Sequence, residues 1–581
     1  AARVRRGQAR STLLGTAAYD GYPTGWSETM TWTDAFALED LPRGSARLVR
    51  TDTHRVAVFR LQDGEVFAVD NACPHEGYPL VQGETRGRVL TCAWHNFKFS
   101  LETGACLKGD EDVRTYATRV VGGRVEVDLT PEDPVRTIAS ARHSLEEGMR
   151  EAQIGRMARD VVRLLRAGVP AREILADGAA LDARYAEYGT THATPVAVDL
   201  VEYLDGDVEH DALVVMQLLE LVSDANLRRP AHTWPAPIAS SDLSGELSAA
   251  IEVEDVERAL GLVRGATDPG EVSDSLLRCA SAHFLGFGHP LIYTTKVLEL
   301  LERDDRHAGP VHCALALRIL SSTREDTLPP MTRWREWARV HAPRRGTAQL
   351  TADEVRALAG RIVDPSDRGI EEEFLGHLLG ETSARSLVDA LVIAAGERLL
   401  RFDPSVHEDW KVQDGWLSVT HLLTYAHAIR EALERSDGDE VLLNLVWSLA
   451  FIRRSHRLDL PEKQVFQPIP STPEDIVAAL AHRDPRVVGL ADGWLHSGGD
   501  LQELGRAVRE WLLDGQATRP IVIAHQIKTL RVGLQEARLR TPLLGTLRFL
   551  ATPFSERRMR GVVHDAAGLV LRGELPKLRA S

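Results

Sequence analysis

The fold class predicted by this sequence is a small all-β domain followed by a large all-α domain that contains an internal duplication. Three observations carry that prediction. Short alternating runs cut by turn residues fill residues 30–131. Beyond Pro131 and Pro134 the apolar residues recur at three- and four-residue spacing. One helical segment is then written twice.

Residues 1–29 read as an unstructured extension. ARVRRGQARS is rich in arginine but no apolar run follows it, so it does not read as a signal peptide, and Met30 reads as a start. From Trp32 to Leu129 the pattern is a series of hairpins. RVAVFRLQDGEVFAVDN places two β-rich runs around Asp63-Gly64. RGRVLTCAWHNFKFSLETGACL repeats the device with turns at Gly87 and Gly104, and TYATRVVGGRVEVDL closes the domain at Gly122-Gly123.

Residues 132–180 read as linker helices, beginning with VRTIASARHSLEEGMREAQIGRMARDVVRLLRAG, and residues 181–581 as the main helical domain. Within it HPLIYTTKVLELLERDD (289–305) lies without a gap over HLLTYAHAIREALERSD (421–437). His289/His421, Tyr293/Tyr425 and Glu299/Glu431 are among the identities. The offset of 132 residues is too long for a solenoid unit, so the expectation is a duplicated half-domain with equivalent histidines facing each other across a pseudo-twofold axis. Residues beyond about 460 show ordinary helical patterning, with nothing assignable to chemistry.

Charge and composition exclude several classes. The net charge of −15, from 84 acidic and 69 basic side chains, argues against a nucleic-acid or anionic-membrane partner. No run approaches the roughly 20 apolar residues that span a bilayer. Five cysteines scattered over 581 residues do not form a disulfide framework. A soluble protein of the reducing cytoplasm is expected.

The chemistry-bearing motif is Cys73-Pro-His75, sixteen residues, then Cys92-Ala-Trp-His95. The flanks AVDNACPHEGYPL and VLTCAWHNFKFSLETG resemble the two cluster loops of the Rieske [2Fe–2S] family over about a hundred residues. That resemblance implies that Cys73 and Cys92 hold one iron while His75 and His95 hold the other. A Cys₂His₂ zinc site is the competing reading, but zinc fingers lack these hairpin flanks. The positions that carry an inter-loop disulfide in respiratory Rieske proteins hold Tyr78 and Trp94, as expected of the ferredoxin and oxygenase branch. Cys106 reads as a packed thiol.

A Rieske domain moves single electrons, so the helical part should contain their destination. One reading is a mononuclear iron on Asp304, His307 and His312 in DDRHAGPVH, the D-x₂-H-x₄-H form found in ring-hydroxylating oxygenases. The other starts from YGTTHATPVAVDLVEYL, HPLIYTTKVLELL and HLLTYAHAIREAL, which resemble three histidine-bearing helices of the questin oxidase-like family. The resemblance implies a helical oxygenase of polycyclic aromatic ketones with a His-rich non-haem Fe(II), and matches His192, His289 and His421.

Lys296 lies seven residues after His289, within about 20° on one helix face. As an N-carboxylated lysine it would add an anionic oxygen ligand. His283, ahead of the Gly286-Phe287-Gly288 break, is a further candidate ligand, with His407 and His427 behind it. Tyr293 and Tyr425 are candidate catalytic residues, as substrate wall or proton donor. Lys411, His210 and His232 read as surface or packing residues.

The expected function is a Rieske-dependent non-haem iron oxygenase acting on O₂ and an apolar, aromatic substrate. No dinucleotide-binding Gly motif sits between a strand and a helix, so an external NAD(P)H-linked reductase is the expected electron source. Mono- or dioxygenation and homo-oligomer formation stay open, as does whether cluster and iron meet within one chain or between subunits. A redox sensor or electron carrier with a helical partner-binding domain is the non-enzyme alternative.

Overall fold

The computed structural model describes residues 31–52, 54–75, 77–109, 111–130, 134–407, 415–462, 464–514 and 519–552. The extension at 1–29, Met30 and Lys411 lie outside them, as does the side chain of His407. The chain divides into two compact units, residues 1–133 and 134–581.

In the first unit the described residues form eleven strands in three antiparallel sheets. The strands are β1 (Trp32–Ala37), β2 (Ser45–Arg50), β3 (Arg55–Arg60), β4 (Val66–Asp70), β5 (Glu84–Arg86) and β6 (Val89–Thr91). They continue as β7 (Lys98–Ser100), β8 (Cys106–Lys108), β9 (Thr115–Tyr116), β10 (Thr118–Val121) and β11 (Arg124–Asp128). The sheet orders are β1-β11-β10, β2-β3-β4-β9 and β5-β6-β7-β8.

The four turns read from the sequence join β3 to β4, β5 to β6, β7 to β8 and β10 to β11. At the last of these Gly122 and Gly123 take φ of +57° and +79°, the doubly left-handed turn that matches strand twist and suits glycine.

Strand alternation divides the interior in two. Val56 and Val58 of β3 point into a cluster with Val125 and Val127. Their neighbours Ala57 and Phe59 point the other way, against Leu80, Leu90, Phe99, Cys73 and Cys92. Each large side chain in that second core contributes about 1.5–3 kcal/mol by leaving water, so the cysteine-bearing loops rest on a firm apolar floor.

The second unit holds the α-helices, 21 of them among the described residues. The expected linker is part of this body. Helices Pro134–Arg150, Ile154–Arg166 and Ala171–Tyr185 pack against each other or on Val208–Asn226, and the Ser223 hydroxyl donates to the Met149 carbonyl at 2.7 Å. Four helices, Ala193–Asp199, His289–Arg303, Trp416–Arg435 and Pro520–Gln535, pack each on the next in a closed ring. The two copies of the repeat are the second and third of these. No helix of the described residues is long and apolar enough to cross a membrane.

Candidate metal centres

The two cysteine-bearing loops of the β unit share one plan. Cys73 N–H donates to the Tyr78 carbonyl and Cys92 N–H to the Phe97 carbonyl, both at 2.8 Å and both five residues on. The tight returns need left-handed backbone, supplied by Gly77 (φ +76°) and Asn96 (φ +60°), residue types that tolerate it. Both thiols are buried, at 1% and 2% exposure, whereas His75 is half-buried and His95 exposed. The two imidazoles lie 4.6 Å apart, and His75 also stacks on Phe97 at 4.5 Å.

Inner thiols and outer imidazoles on one spot fit a [2Fe–2S] cluster with its histidine-bound iron outward. Tyr78 and Trp94 stack at 4.4 Å, so an aromatic contact ties the loops together. None of the five cysteines forms a disulfide.

The helical unit gathers a second set of donors. His192 sits at the N-terminus of Ala193–Asp199, and His289 is the first residue of its helix. The rings of His289 and His421, equivalent in the repeat, are 4.3 Å apart. His192 Nε2 lies 3.2 Å from His289 Nε2, and His525 Nε2 lies 3.2 Å from His421 Nε2. The His192 and His525 rings lie 4.6 Å apart, tilted by 43°. One coordinating nitrogen from each of His192, His289 and His421 falls within 4.8 Å of the other two. Nitrogens bound about 2.1 Å from one ion at tetrahedral or octahedral angles sit about 3.0–3.4 Å apart, so both 3.2 Å pairs match edges of a coordination polyhedron.

Local structure settles which nitrogens can bind. Gly286 O lies 2.5 Å from His289 Nδ1 and Ile521 O lies 2.7 Å from His525 Nδ1. A carbonyl only accepts, so Nδ1 carries the proton in both rings and Nε2 presents its lone pair to the centre. Burial, then the Lys528 charge, then the neighbouring histidines hold His192 far below the ordinary imidazole value. Burial, Lys528 and Arg318 push His289 down to about 3, against the pull of the Gly286 carbonyl. Burial and Lys528 keep His525 neutral as well. Neutral imidazoles in a dry pocket are metal ligands in waiting, and this set suits iron, zinc, copper or nickel.

The segment that carries His192 is fixed from behind. The fully buried Asp182 carboxylate accepts from Thr191 N–H (2.7 Å), Thr190 and Thr191 hydroxyls (3.0 and 2.9 Å) and the Asn226 amide (3.0 Å). Tyr293 places its hydroxyl 3.2 Å from His192 Nδ1, so it acts on the site through that ring. Tyr425, its repeat partner, donates instead to Asn444 Oδ1 at 2.8 Å. Its ring lies so close to Gly288 that a Cβ there would sit 2.4 Å away, so Tyr425 is a packing residue, not a catalytic one.

Other predicted residues lie elsewhere. Lys296 Nζ pairs with Asp199 at 3.2 Å and Glu299 at 3.3 Å. Burial opposes its charge, but Asp199 and Glu431 outweigh it and keep the lysine protonated, which rules it out as a ligand. Asp199 comes from another helix, which its own sequence neighbours could not reveal.

His283 is held between Asp326 and Glu252, both at 2.9 Å, in a separate ionic cluster with Arg324. His427 bridges Glu536 at 2.8 Å and Glu431 at 3.4 Å. The Asp304, His307 and His312 triad does not assemble. Asp304 pairs with Arg306, His307 with Asp177 at 2.9 Å, and the buried His312 with the Ser273 hydroxyl at 2.9 Å. His307 stands just ahead of the helix Ala308–Ser321 that carries His312, and the two histidines have different partners.

Two site residues escaped the sequence, both beyond position 460. His525 completes the histidine set. Lys528, one turn further along the same helix, is buried with no hydrogen-bond partner for Nζ among the described residues. Burial pushes it down to about 7, with Asp199 raising it and Lys296 lowering it. It carries the electrostatics expected of Lys296. Their signal, His-x-x-Lys on the apolar helix PIVIAHQIKTLRVGL, looks like ordinary core.

The comparisons with known proteins concern the β unit. The Rieske [2Fe-2S] domain family matches residues 31–118. The ferredoxin component of the naphthalene 1,2-dioxygenase system of Pseudomonas aeruginosa is 32% identical over 104 residues, which is 18% of this chain and 99% of that protein. The biphenyl dioxygenase ferredoxin subunit of a Pseudomonas species is 35% identical over 104 residues, 17% of this chain and 94% of its own. Among solved structures a Sphingomonas yanoikuyae ferredoxin matches at 27% identity, covering 17% of this chain and 98% of its own, with a TM-score of 0.16. Through residues 31–118 the chain belongs to the Rieske [2Fe–2S] family, and that domain is an electron carrier.

Proposed function

We propose that the chain is a Rieske-dependent non-haem iron oxygenase, in which electrons from the [2Fe–2S] cluster serve an iron ion held by His192, His289, His421 and His525. The observation that carries this is the convergence of four imidazoles in the helical unit, three of them (His192, His289 and His525) held neutral and two with Nε2 lone pairs fixed by backbone carbonyls. A fused electron carrier is of use to a redox-active ion and of none to zinc, which favours iron among the metals that imidazoles bind.

An Fe(II) ion at this position would supply O₂ binding and reduction. The chain's own residues do the rest. His289, His421 and His525 are at most 8% exposed and His192 is half-buried, which limits the access of water to the set. The carbonyls of Gly286 and Ile521 hold two rings in the ligating tautomer, and Tyr293 orients a third. Lys528, whose charge burial opposes and whose Nζ has no hydrogen-bond partner among the described residues, is an amine that can add to CO₂, losing a proton to give a carbamate.

The relatives are components of aromatic dioxygenase systems, which supports an external NAD(P)H-linked reductase and an apolar, aromatic substrate for this chain too.

The test is iron per chain in the full-length protein, with spin-resonance detection of a ferrous nitrosyl signal beside the cluster signal. One iron beyond the cluster, lost in His289→Ala and His421→Ala variants that keep the cluster, is the expected result. A folded chain that carries cluster iron alone overturns the oxygenase reading and leaves an electron carrier.

A further inference from the structure

Beside the histidine set runs a strap with unusual backbone. Gly286, Phe287 and Gly288 have successive φ of +46°, +58° and +86°. Glycine adopts such values freely, but phenylalanine does so at a cost of about 1–2 kcal/mol. A strained non-glycine residue persists only where its surroundings insist on it. Here Gly286 N–H donates to Thr323 O at 2.9 Å, Phe287 N–H to the buried Glu325 carboxylate at 3.0 Å, and Gly288 N–H to Leu285 O at 2.8 Å. The absent Cβ of Gly288 lets the strap press onto Tyr425.

The strap does two things at once. Its Gly286 carbonyl fixes the His289 tautomer, and one residue later it sets the Phe287 ring near-parallel to the His421 ring, 25° and 6.4 Å away. Phe287 is half-buried while its aromatic neighbours Phe451, Phe284 and Tyr425 are buried, which puts it at the outer end of an aromatic row leading from the site.

We infer that Phe287, held in its strained conformation by Glu325, is the residue that sets the size of molecule admitted to the histidine-bound ion. The inference rests on the metal site proposed above and adds a specificity-determining residue to it. A position that served packing alone would be filled at lower cost by a residue suited to the left-handed region. The bulky ring there lies instead alongside the His421 ring.

The experiment uses the full-length protein loaded anaerobically with Fe(II), with nitric oxide as the small probe and imidazole and 4-phenylimidazole as competitors of graded size. The readout is the concentration of each competitor that halves the ferrous nitrosyl signal. In the unaltered protein 4-phenylimidazole should need about tenfold or more over imidazole, the discrimination a steric pocket supplies. Phe287→Gly, which suits φ +58° and so keeps the strap, should remove most of that difference, and Phe287→Trp should keep or widen it.

An equal ratio in all three proteins, with the nitrosyl signal intact, overturns the role of Phe287 and leaves the metal site standing. Absence of iron and of nitrosyl signal from every protein overturns the metal site and this inference together.

Discussion

His192 Nε2 and His289 Nε2 lie 3.2 Å apart although 97 residues separate them in the chain. Neither ring can be protonated at both nitrogens in that pocket, because a second charge beside Lys528 and the other imidazoles would go uncompensated in a dry interior. The pair is arranged for a cation shared between lone pairs, and His421 with His525 repeats it at the same distance.

His525 is the proposed ligand that the sequence did not reveal, so it gives the sharpest test. His525→Ala should cost about one equivalent of iron per chain and leave the cluster spectrum unchanged. Elemental analysis with cluster spin resonance measures both. Full retention of the extra iron would remove His525 from the ligand set.

Tyr293 acts through His192, so Tyr293→Phe should weaken metal binding without abolishing it. Loss of a hydrogen bond behind a ligand typically costs about tenfold or more in affinity. Competition against a chelator reads the change, and Tyr425→Phe, which breaks only the Asn444 contact, should leave affinity unaltered.

The two buried lysines should separate in behaviour. With ¹³C-labelled bicarbonate, a carbamate carbon resonance is expected in the unaltered protein and in Lys296→Met, and its loss in Lys528→Met. Lys296→Met should instead lower stability by about 3 kcal/mol, the cost of leaving Asp199 and Glu299 short of a buried partner, though Arg531 still binds both. A carbamate signal that survives Lys528→Met sinks the assignment.

The imidazolium of His427 between Glu431 and Glu536 gives a pH signature. Burial would raise the Glu536 carboxyl, but His427 and Arg430 hold it down to about 2. That contribution to stability is complete above the unfolded carboxylate value near 4.5 and is lost as pH falls toward 2. Burial would lower His427, yet the two carboxylates raise it. Its contribution is therefore complete below the unfolded value near 6.5 and is lost as pH climbs through the raised one. Thermal unfolding across pH should show a plateau between these limits. His427→Gln should lower it by about 3 kcal/mol and remove the alkaline decline.

The sequence by itself determined the β unit and its cluster site. Cys73, His75, Cys92 and His95 come from two neighbouring hairpin loops, so local turn chemistry and strand alternation suffice to bring them together, and chain spacing alone makes them legible. It also determined the helical class of the remainder and the repeat that pairs His289 with His421. Tertiary packing decided which of the candidate histidines meet, and it added His525 to His192, His289 and His421. His192 and His525 stand on helices more than three hundred residues apart, and a histidine on an apolar helix face reads the same whether it binds an ion or fills the core. The same holds for the lysines. Lys296 keeps its charge because Asp199 of a different helix pairs with it, and Lys528 gives much of its charge up because burial outweighs the more distant pull of Asp199 and no hydrogen bond meets its Nζ among the described residues. Electrostatics depends on distance in space, which chain spacing within a helix does not fix beyond the first few turns.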